Sequence, residues 1–119
     1  MIFGTHAIIY AEDAGKAREF FRDVLGFDDV DAGGGWLIFN LPPAELAAHP
    51  SADAAGSGTH QLFFMCDDIN ATMEDLRRKG VEFTRDVEDQ RFGLITSLRV
   101  PGAGEIGLYQ PHHPTAIPR

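Results

Sequence analysis

Apolar and polar positions alternate along the chain with two periods, one typical of helices and one typical of strands. Between residues 17 and 25, apolar side chains recur at i, i+3, i+4, i+7 and i+8. This stripe predicts an amphipathic helix with one buried face. Asp13 stands where a helix-capping side chain is expected, and Gly26 stands where a left-handed helix end favours glycine.

A thinner apolar stripe over 69–76 predicts a second helix in the other half of the chain. Either Asp68 or Asn70 could cap its beginning. Three basic residues over 77–79 suit the negative end of the helix dipole, and Gly80 follows them. Both helices are therefore expected to cover one face of a sheet.

Short runs with strand character occupy the remaining patterned positions. They are 5–10, 27–31, 35–41 and 44–49 in the first half, and 59–65, 81–85, 91–100 and 105–110 in the second. Glycine and proline clusters separate these runs. The predicted order of elements is β-α-β-β-β, and it occurs twice.

The two halves are related by an offset of 54 residues without a gap. At that offset His6 falls on His60 and Gly26 falls on Gly80. A repeated order of elements indicates two copies of one structural unit. We predict a single domain over 1–119, with module one at about 4–50, a connector at 51–58 and module two at about 59–111. Each module alone is too small to be more than marginally stable, so the modules should pack on each other or on a second chain.

The net charge of the chain limits the kinds of molecule that it can bind. The 119 residues carry a formal net charge of −8. The first 59 residues contain 9 acidic and 3 basic side chains, and the other 60 contain 9 and 7. An acidic chain lacks the positive surface that nucleic acids require. No apolar run approaches the roughly 20 residues of a membrane-spanning helix, so no membrane association is expected.

A single cysteine, Cys66, excludes an intrachain disulfide and a cysteine-based zinc site. No signal peptide is visible at the beginning of the sequence, so we expect a reduced, cytoplasmic protein. Its acidic neighbours should raise the pKa of Cys66, which argues against a nucleophilic thiol. Histidine and carboxylate side chains remain as possible metal ligands.

The order of elements resembles the vicinal-oxygen-chelate superfamily, which includes glyoxalase I, extradiol dioxygenases and bleomycin-resistance proteins. Three stretches carry the resemblance: His6 through Phe27, His60 to Gly80, and Glu105 to Pro111. It implies an α+β fold in which two βαβββ modules form curled mixed sheets around an open cleft. It also implies a small-molecule substrate or ligand and a homodimer. The superfamily supports several chemistries on one scaffold, so the resemblance specifies the fold better than the reaction.

In that superfamily the first strand of each module usually supplies a histidine to a metal, and the last strand can supply a glutamate. The resemblance therefore implies His6, His60, Glu45 and Glu105 as metal ligands, with Glu105 and Glu45 as candidates for proton transfer. One position departs from the pattern, because glycine stands at 107 where a glutamate is usual. Glu105 shares the strand face of residue 107 but lies about 6.5–7 Å away along the strand.

Three further residues are candidate substrate contacts. Trp36 follows three glycines and could form part of a mobile lid, and His49 lies at the end of the 44–49 run. Tyr109 shares a strand face with Glu105. The pair His112-His113 is interpreted only as a possible adventitious metal binder.

Three functions stay open on the sequence. The first is a glyoxalase-like enzyme that uses a divalent metal (Zn, Ni, Mn or Fe) to polarise a substrate oxygen while a glutamate moves a proton. The second is an extradiol-type Fe(II) dioxygenase on the same ligands. The third is a metal-free, drug-sequestering protein of the bleomycin-resistance type, which the acidic first half and Gly107 favour.

Overall fold

The computed structural model describes residues 1 and 3–117, which form two helices and six strands. Helix α1 spans Ala14–Glu19 and continues as a π-helical turn over Phe20–Val24, and helix α2 spans Ile69–Arg78. A short 3-10 turn lies at Ala54–Gly56. The strands are β1 Asp29–Asp31, β2 Leu37–Phe39, β3 Phe63–Met65, β4 Glu88–Gln90, β5 Gly93–Val100 and β6 Gly104–Pro111. The predicted fold class is confirmed as α+β with curled mixed sheets.

The strands form one small sheet and one larger sheet. Strands β1 and β2 pair antiparallel as a hairpin. The larger sheet has the order β3-β6-β5-β4, in which β3 runs parallel to β6 and the other pairs are antiparallel. The parallel pair joins the first and last strands of the predicted second module, as a βαβββ unit requires.

Both predicted helices are confirmed, with the expected ends. Asp13 caps α1 by accepting a hydrogen bond from the Lys16 N–H at 3.0 Å. Asp68, rather than Asn70, caps α2 through the Ala71 N–H at 3.1 Å. Gly26 and Gly80 adopt positive φ angles of 73° and 89° just beyond the helices. Among the described residues, no helix is long and apolar enough to cross a membrane.

The core lies between the two helices and one face of the larger sheet. Ala17 and Phe20 of α1 belong to the same buried cluster as Ile69 and Met73 of α2. The strands contribute Leu98, Val100, Ile106 and Leu108 to this cluster. Helix α1, although it comes from the first half of the sequence, therefore packs on the sheet of the second half.

Two of the predicted strands do not form. Residues 5–10 and 44–49 have no strand assignment. Ile8 is 67% exposed and Leu46 is 95% exposed. A strand is stabilised by hydrogen bonds to a neighbour, and neither segment has one in this chain. Prolines on both sides of 44–49 and its three alanines lower its strand propensity further.

The predicted strand at 81–85 is reduced to a single bridge between Phe83 and Leu98. Backbone hydrogen bonds from Thr84 to Ser97 and from Arg99 to Glu82, both 2.9 Å, hold this segment beside β5. The regular pairing forms later, at β4, which was not predicted. All three residues of β4 are polar and exposed, so its sequence has no apolar alternation to indicate a strand.

Candidate functional site

The larger sheet has a second face, opposite the helices, on which aromatic rings collect. Along β6, Ile106 and Leu108 point into the core, so Gly107 and Tyr109 point to the opposite side. The Tyr109 ring meets Phe63 edge-on at 5.5 Å between centroids and Phe92 at 5.8 Å. We call this surface, made by Phe63, Phe92, Gly107 and Tyr109, the aromatic face.

Gly107 is required on this face because the Phe63 ring lies directly over it. The two residues are register partners across β3 and β6. A Cβ atom at residue 107 would overlap with the Phe63 ring, whose Cγ atom would be 3.0 Å away. Gly107 does not have a positive φ, so the need for glycine comes from the ring and not from the backbone. The resemblance led us to expect a glutamate side chain at residue 107. The space for such a side chain is instead occupied by the Phe63 ring of the neighbouring strand.

Tyr109 is the centre of a polar network at the edge of the aromatic face. Its hydroxyl lies 3.4 Å from Glu45 Oε1 and 3.3 Å from His113 Nε2. Burial raises the pKa of Tyr109, and the nearby Glu45 carboxylate raises it further. The phenol is therefore held in its protonated form and can donate a hydrogen bond.

Glu45 is engaged with two distant parts of the chain. Its Oε2 accepts a hydrogen bond from the Ala116 N–H at 2.8 Å, while Oε1 faces the Tyr109 hydroxyl. His113 Nε2 lies 3.9 Å from Oε1. The Glu45 side chain is only 17% exposed. We call Glu45, Tyr109, His113 and Ala116 the Glu45 cluster.

Among the described residues, no hydrogen bond or ion pair joins the other three predicted metal ligands to this cluster. His6 and His60 are both exposed. Glu105 is exposed and stands opposite Arg99 across the β5–β6 pair. Within residues 1 and 3–117, no three His, Cys, Asp or Glu side chains come close enough together to hold a metal ion.

Two of the three predicted substrate contacts also lie outside the aromatic face. Trp36 is 56% exposed in the turn of the β1–β2 hairpin. Its ring pairs with no other aromatic ring of the described chain. His49 is exposed in the unpaired 44–49 segment. Tyr109 is the one of the three that lies on the aromatic face.

The surroundings of Cys66 favour the neutral thiol. Burial raises the pKa of its thiol, and the charges of Asp67 and Asp68 act in the same direction. Its Sγ atom lies 3.6 Å from the Tyr109 carbonyl oxygen, which accepts the weak S–H hydrogen bond. The expectation that Cys66 is not a nucleophile agrees with this environment.

His113 was not recognised from the sequence as part of a binding site, and Phe92 was not among the predicted substrate contacts. His113 follows Tyr109 by four residues, beyond Pro111, and its own Nδ1 lies 2.8 Å from the Pro114 carbonyl oxygen. Because that oxygen can only accept, Nδ1 must carry a proton. Phe92 comes directly before β5, and this position at the end of a strand could have indicated a ring at the edge of the sheet.

Comparison of the sequence with known protein families identifies the family of this chain. The model of the Glyoxalase/Bleomycin resistance protein/Dioxygenase superfamily matches residues 5–101. The chain belongs to this superfamily. YetH of Bacillus subtilis, described only as an uncharacterized protein, is 32% identical over 105 residues, which cover 81% of this chain and 87% of YetH.

Two solved structures of the superfamily's fold illustrate its range. TnmS3, an antibiotic binding protein from Streptomyces sp. CB03234, has a TM-score of 0.64 at 22% identity and covers 93% of this chain and 98% of its own. A lactoylglutathione lyase from Agrobacterium tumefaciens has a TM-score of 0.57 at 18% identity, covering 87% of this chain and 92% of its own. At these identities the likeness is one of fold.

Members of the superfamily typically bind a divalent metal. The residues of this one chain do not fit such a group. Position 107 has no side chain and no room for one, and Glu45 already accepts hydrogen bonds. Metal–oxygen distances of about 2.0–2.2 Å would require Glu45 to leave these partners.

Proposed function

We propose that this chain binds a small planar molecule on its aromatic face, without a metal ion. The observation that carries the proposal is the Phe63 ring over Gly107. In a metal-dependent relative this position is expected to hold a carboxylate, whereas here it adds to an aromatic surface. The binding role matches the third function considered from the sequence.

The chemistry of the face favours an aromatic ligand with positive charge. Phe92 is 39% exposed, so its ring is available for stacking or edge contacts. Aromatic faces attract cations, and the chain's net charge of −8 adds a long-range attraction. TnmS3, which has the same fold, is an antibiotic binding protein, and this supports a small-molecule binding role.

A calorimetric titration with proflavine, a planar cationic dye, tests this proposal. We expect binding that weakens as salt is raised, because part of the attraction is electrostatic. Phe92→Ala should weaken binding by about fivefold to tenfold, the usual value of one aromatic contact. Val30→Ala is the control, because Val30 is 66% exposed on β1, outside both the aromatic face and the proposed dimer surface. Equal affinities for Phe92→Ala and the wild type would contradict the proposal.

The second candidate function is a metal-dependent enzyme. It is favoured by the accessibility of the His6 and His60 imidazoles. Both imidazoles are exposed, and neither has a hydrogen bond or ion pair to another described residue. One chain does not bring them together with Glu45 or Glu105, so a second copy would have to complete the ligand set. The activity would then be glyoxalase-like or, with iron, that of an extradiol dioxygenase.

Elemental analysis of untagged protein separates the two candidates. The test uses the His112→Ala/His113→Ala background, which removes the adventitious pair. The second candidate requires stoichiometric metal that is lost in His6→Ala and in His60→Ala but kept in His49→Ala. The first candidate expects the same trace metal content in all of these variants.

A homodimer is part of the proposal. Phe3, Ile8, Tyr10 and Leu46 are all at least 67% exposed, and they lie on or beside the two segments that were predicted as strands but remain unpaired. Exposed apolar residues concentrated in one part of a chain mark an interaction surface. In a two-fold symmetric dimer both copies use the same surface, so the unpaired segments of one copy would pack against those of the other. With one cysteine, we also propose a reducing, cytoplasmic location.

A further inference from the structure

The Tyr109 edge of the aromatic face is in contact with a later segment of the same chain. After β6 the chain turns back, and the segment 112–117 meets the Glu45 cluster. The His113 ring lies 6.0 Å from the Tyr109 ring, between centroids, and is half-exposed. The segment therefore lies against the Tyr109 ring, whereas Phe92 on the same face stays 39% exposed.

The two adjacent histidines of this segment contact different parts of the molecule. His112 is held at the outer edge of the sheet: its N–H donates to the Phe92 carbonyl oxygen at 2.8 Å, and its Nε2 lies 3.4 Å from Asp89 Oδ1. His113 turns the other way, to the Tyr109 hydroxyl. The His112 backbone N–H thus fixes where the segment begins, and the His113 ring lies against Tyr109 at the edge of the aromatic face.

Glu45 anchors the far part of the segment. The Ala116 N–H donates to Glu45 Oε2 across 71 positions of sequence. This is a backbone hydrogen bond to a largely buried carboxylate, so it fixes the path of the segment and not merely a side chain. Contact with Tyr109 through His113 and with Glu45 through Ala116 gives the segment two attachment points.

We infer that the segment 112–117 is a clasp over the Tyr109 side of the aromatic face, and that a ligand contacts the Tyr109 ring only after displacing it. The inference rests on the proposed binding function and adds its regulation. A closed clasp reduces the apparent affinity by the fraction of molecules in which it is open. Weakening either attachment point should therefore increase the affinity for ligand, the reverse of what loss of a contact residue does.

Two variants weaken the clasp without removing the rings of the aromatic face. Ala116→Pro removes the N–H that Glu45 accepts and leaves every side chain of the site in place. His113→Ala removes the attachment to Tyr109. His112→Ala is the matched control, because it keeps the backbone N–H bond to Phe92 that fixes the beginning of the segment, and it removes only a side chain that faces Asp89 and does not touch the Glu45 cluster.

The first measurement needs no ligand. Hydrogen–deuterium exchange is followed by mass spectrometry in peptides that cover 112–117. We expect faster exchange in Ala116→Pro and His113→Ala than in the wild type and His112→Ala. Equal exchange rates in all four proteins would overturn the clasp. Urea unfolding of the same proteins checks that the global fold is kept.

The second measurement is the proflavine titration of the same four proteins. Ala116→Pro should bind about threefold to tenfold more tightly than the wild type, the size expected for loss of one closing hydrogen bond. His112→Ala should bind like the wild type. Unchanged or weaker affinity in Ala116→Pro would reject the clasp even where Phe92→Ala confirms binding. If no variant binds the dye, the binding function fails, and the exchange experiment alone decides on the clasp.

Discussion

At the scale of single residues, neighbours decide what a side chain can do. Residue 107 lies in the strand that the sequence predicted, on the face that the sequence predicted. Which side chain fits at residue 107 depends on Phe63, which comes from a strand 44 positions earlier and fills the space beside residue 107. Glu45 likewise has its role set by Tyr109 and Ala116, which are far away in sequence.

Gly107→Ala should lower the free energy of unfolding by about 1–3 kcal/mol, because the added methyl group overlaps with the Phe63 ring. Gly4→Ala, where nothing lies within 4 Å of the new methyl group, is the control and should change little. Urea denaturation measures both. The double variant Phe63→Ala/Gly107→Ala should cost less than the sum of the single variants, and strict additivity would refute the contact.

Tyr109 should ionise at higher pH than an ordinary tyrosine, because burial and then Glu45 raise its pKa. Folding favours the neutral phenol, so this stabilisation is complete below the ordinary value of 10.0 and is lost as the pH rises through the higher folded value. Absorbance at 295 nm should show a late component that Tyr109→Phe removes. The interpretation is wrong if Tyr10→Phe, at a side chain that is 89% exposed, removes the same component.

At the scale of elements, helices were predicted well and strands unevenly. A helix satisfies its own hydrogen bonds, so the stripes over 17–25 and 69–76, together with their caps, were sufficient. A strand depends on a neighbour that local sequence does not specify. For this reason β5 and β6 formed as expected, whereas 5–10 and 44–49 stayed unpaired and β4 appeared in a polar stretch.

Asp68→Ala should destabilise the protein by about 1 kcal/mol, because it removes the acceptor for the Ala71 N–H at the start of α2. Asn70→Ala is the informative control, since the sequence alone left Asn70 as an equal candidate for the cap. Thermal or urea unfolding should show a clear loss for Asp68→Ala and almost none for Asn70→Ala. The reverse order would mean that α2 begins two residues later.

At the scale of the whole molecule, the two halves of the sequence repeat are not equally complete. The second half forms a four-stranded sheet, whereas the first half contributes a two-stranded hairpin and gives its helix to the core of the second half. Among the described residues one aromatic pair connects the halves: the Phe27 ring meets the Phe64 ring at 5.7 Å between centroids. The division into modules at 4–50 and 59–111 remains a prediction.

We expect light scattering after size-exclusion chromatography to give twice the 13.0 kDa mass of the chain. Ile8→Glu should shift the protein towards the monomer, because it adds a charge to an exposed apolar side chain of the unpaired 5–10 segment. Ala14→Glu adds the same charge at an exposed site in the first turn of α1 and should leave the dimer intact. A wild-type protein that elutes only at the monomer mass contradicts the proposed pairing.

By itself the sequence determined the features that depend on neighbouring residues. These are the two capped helices, the acidic charge and the superfamily. The tertiary structure decided which distant residues meet: Phe63 over Gly107, and Glu45 with Tyr109 and Ala116. Periodicity and capping are written within a few residues of sequence, whereas a site is made by side chains that only folding brings into contact.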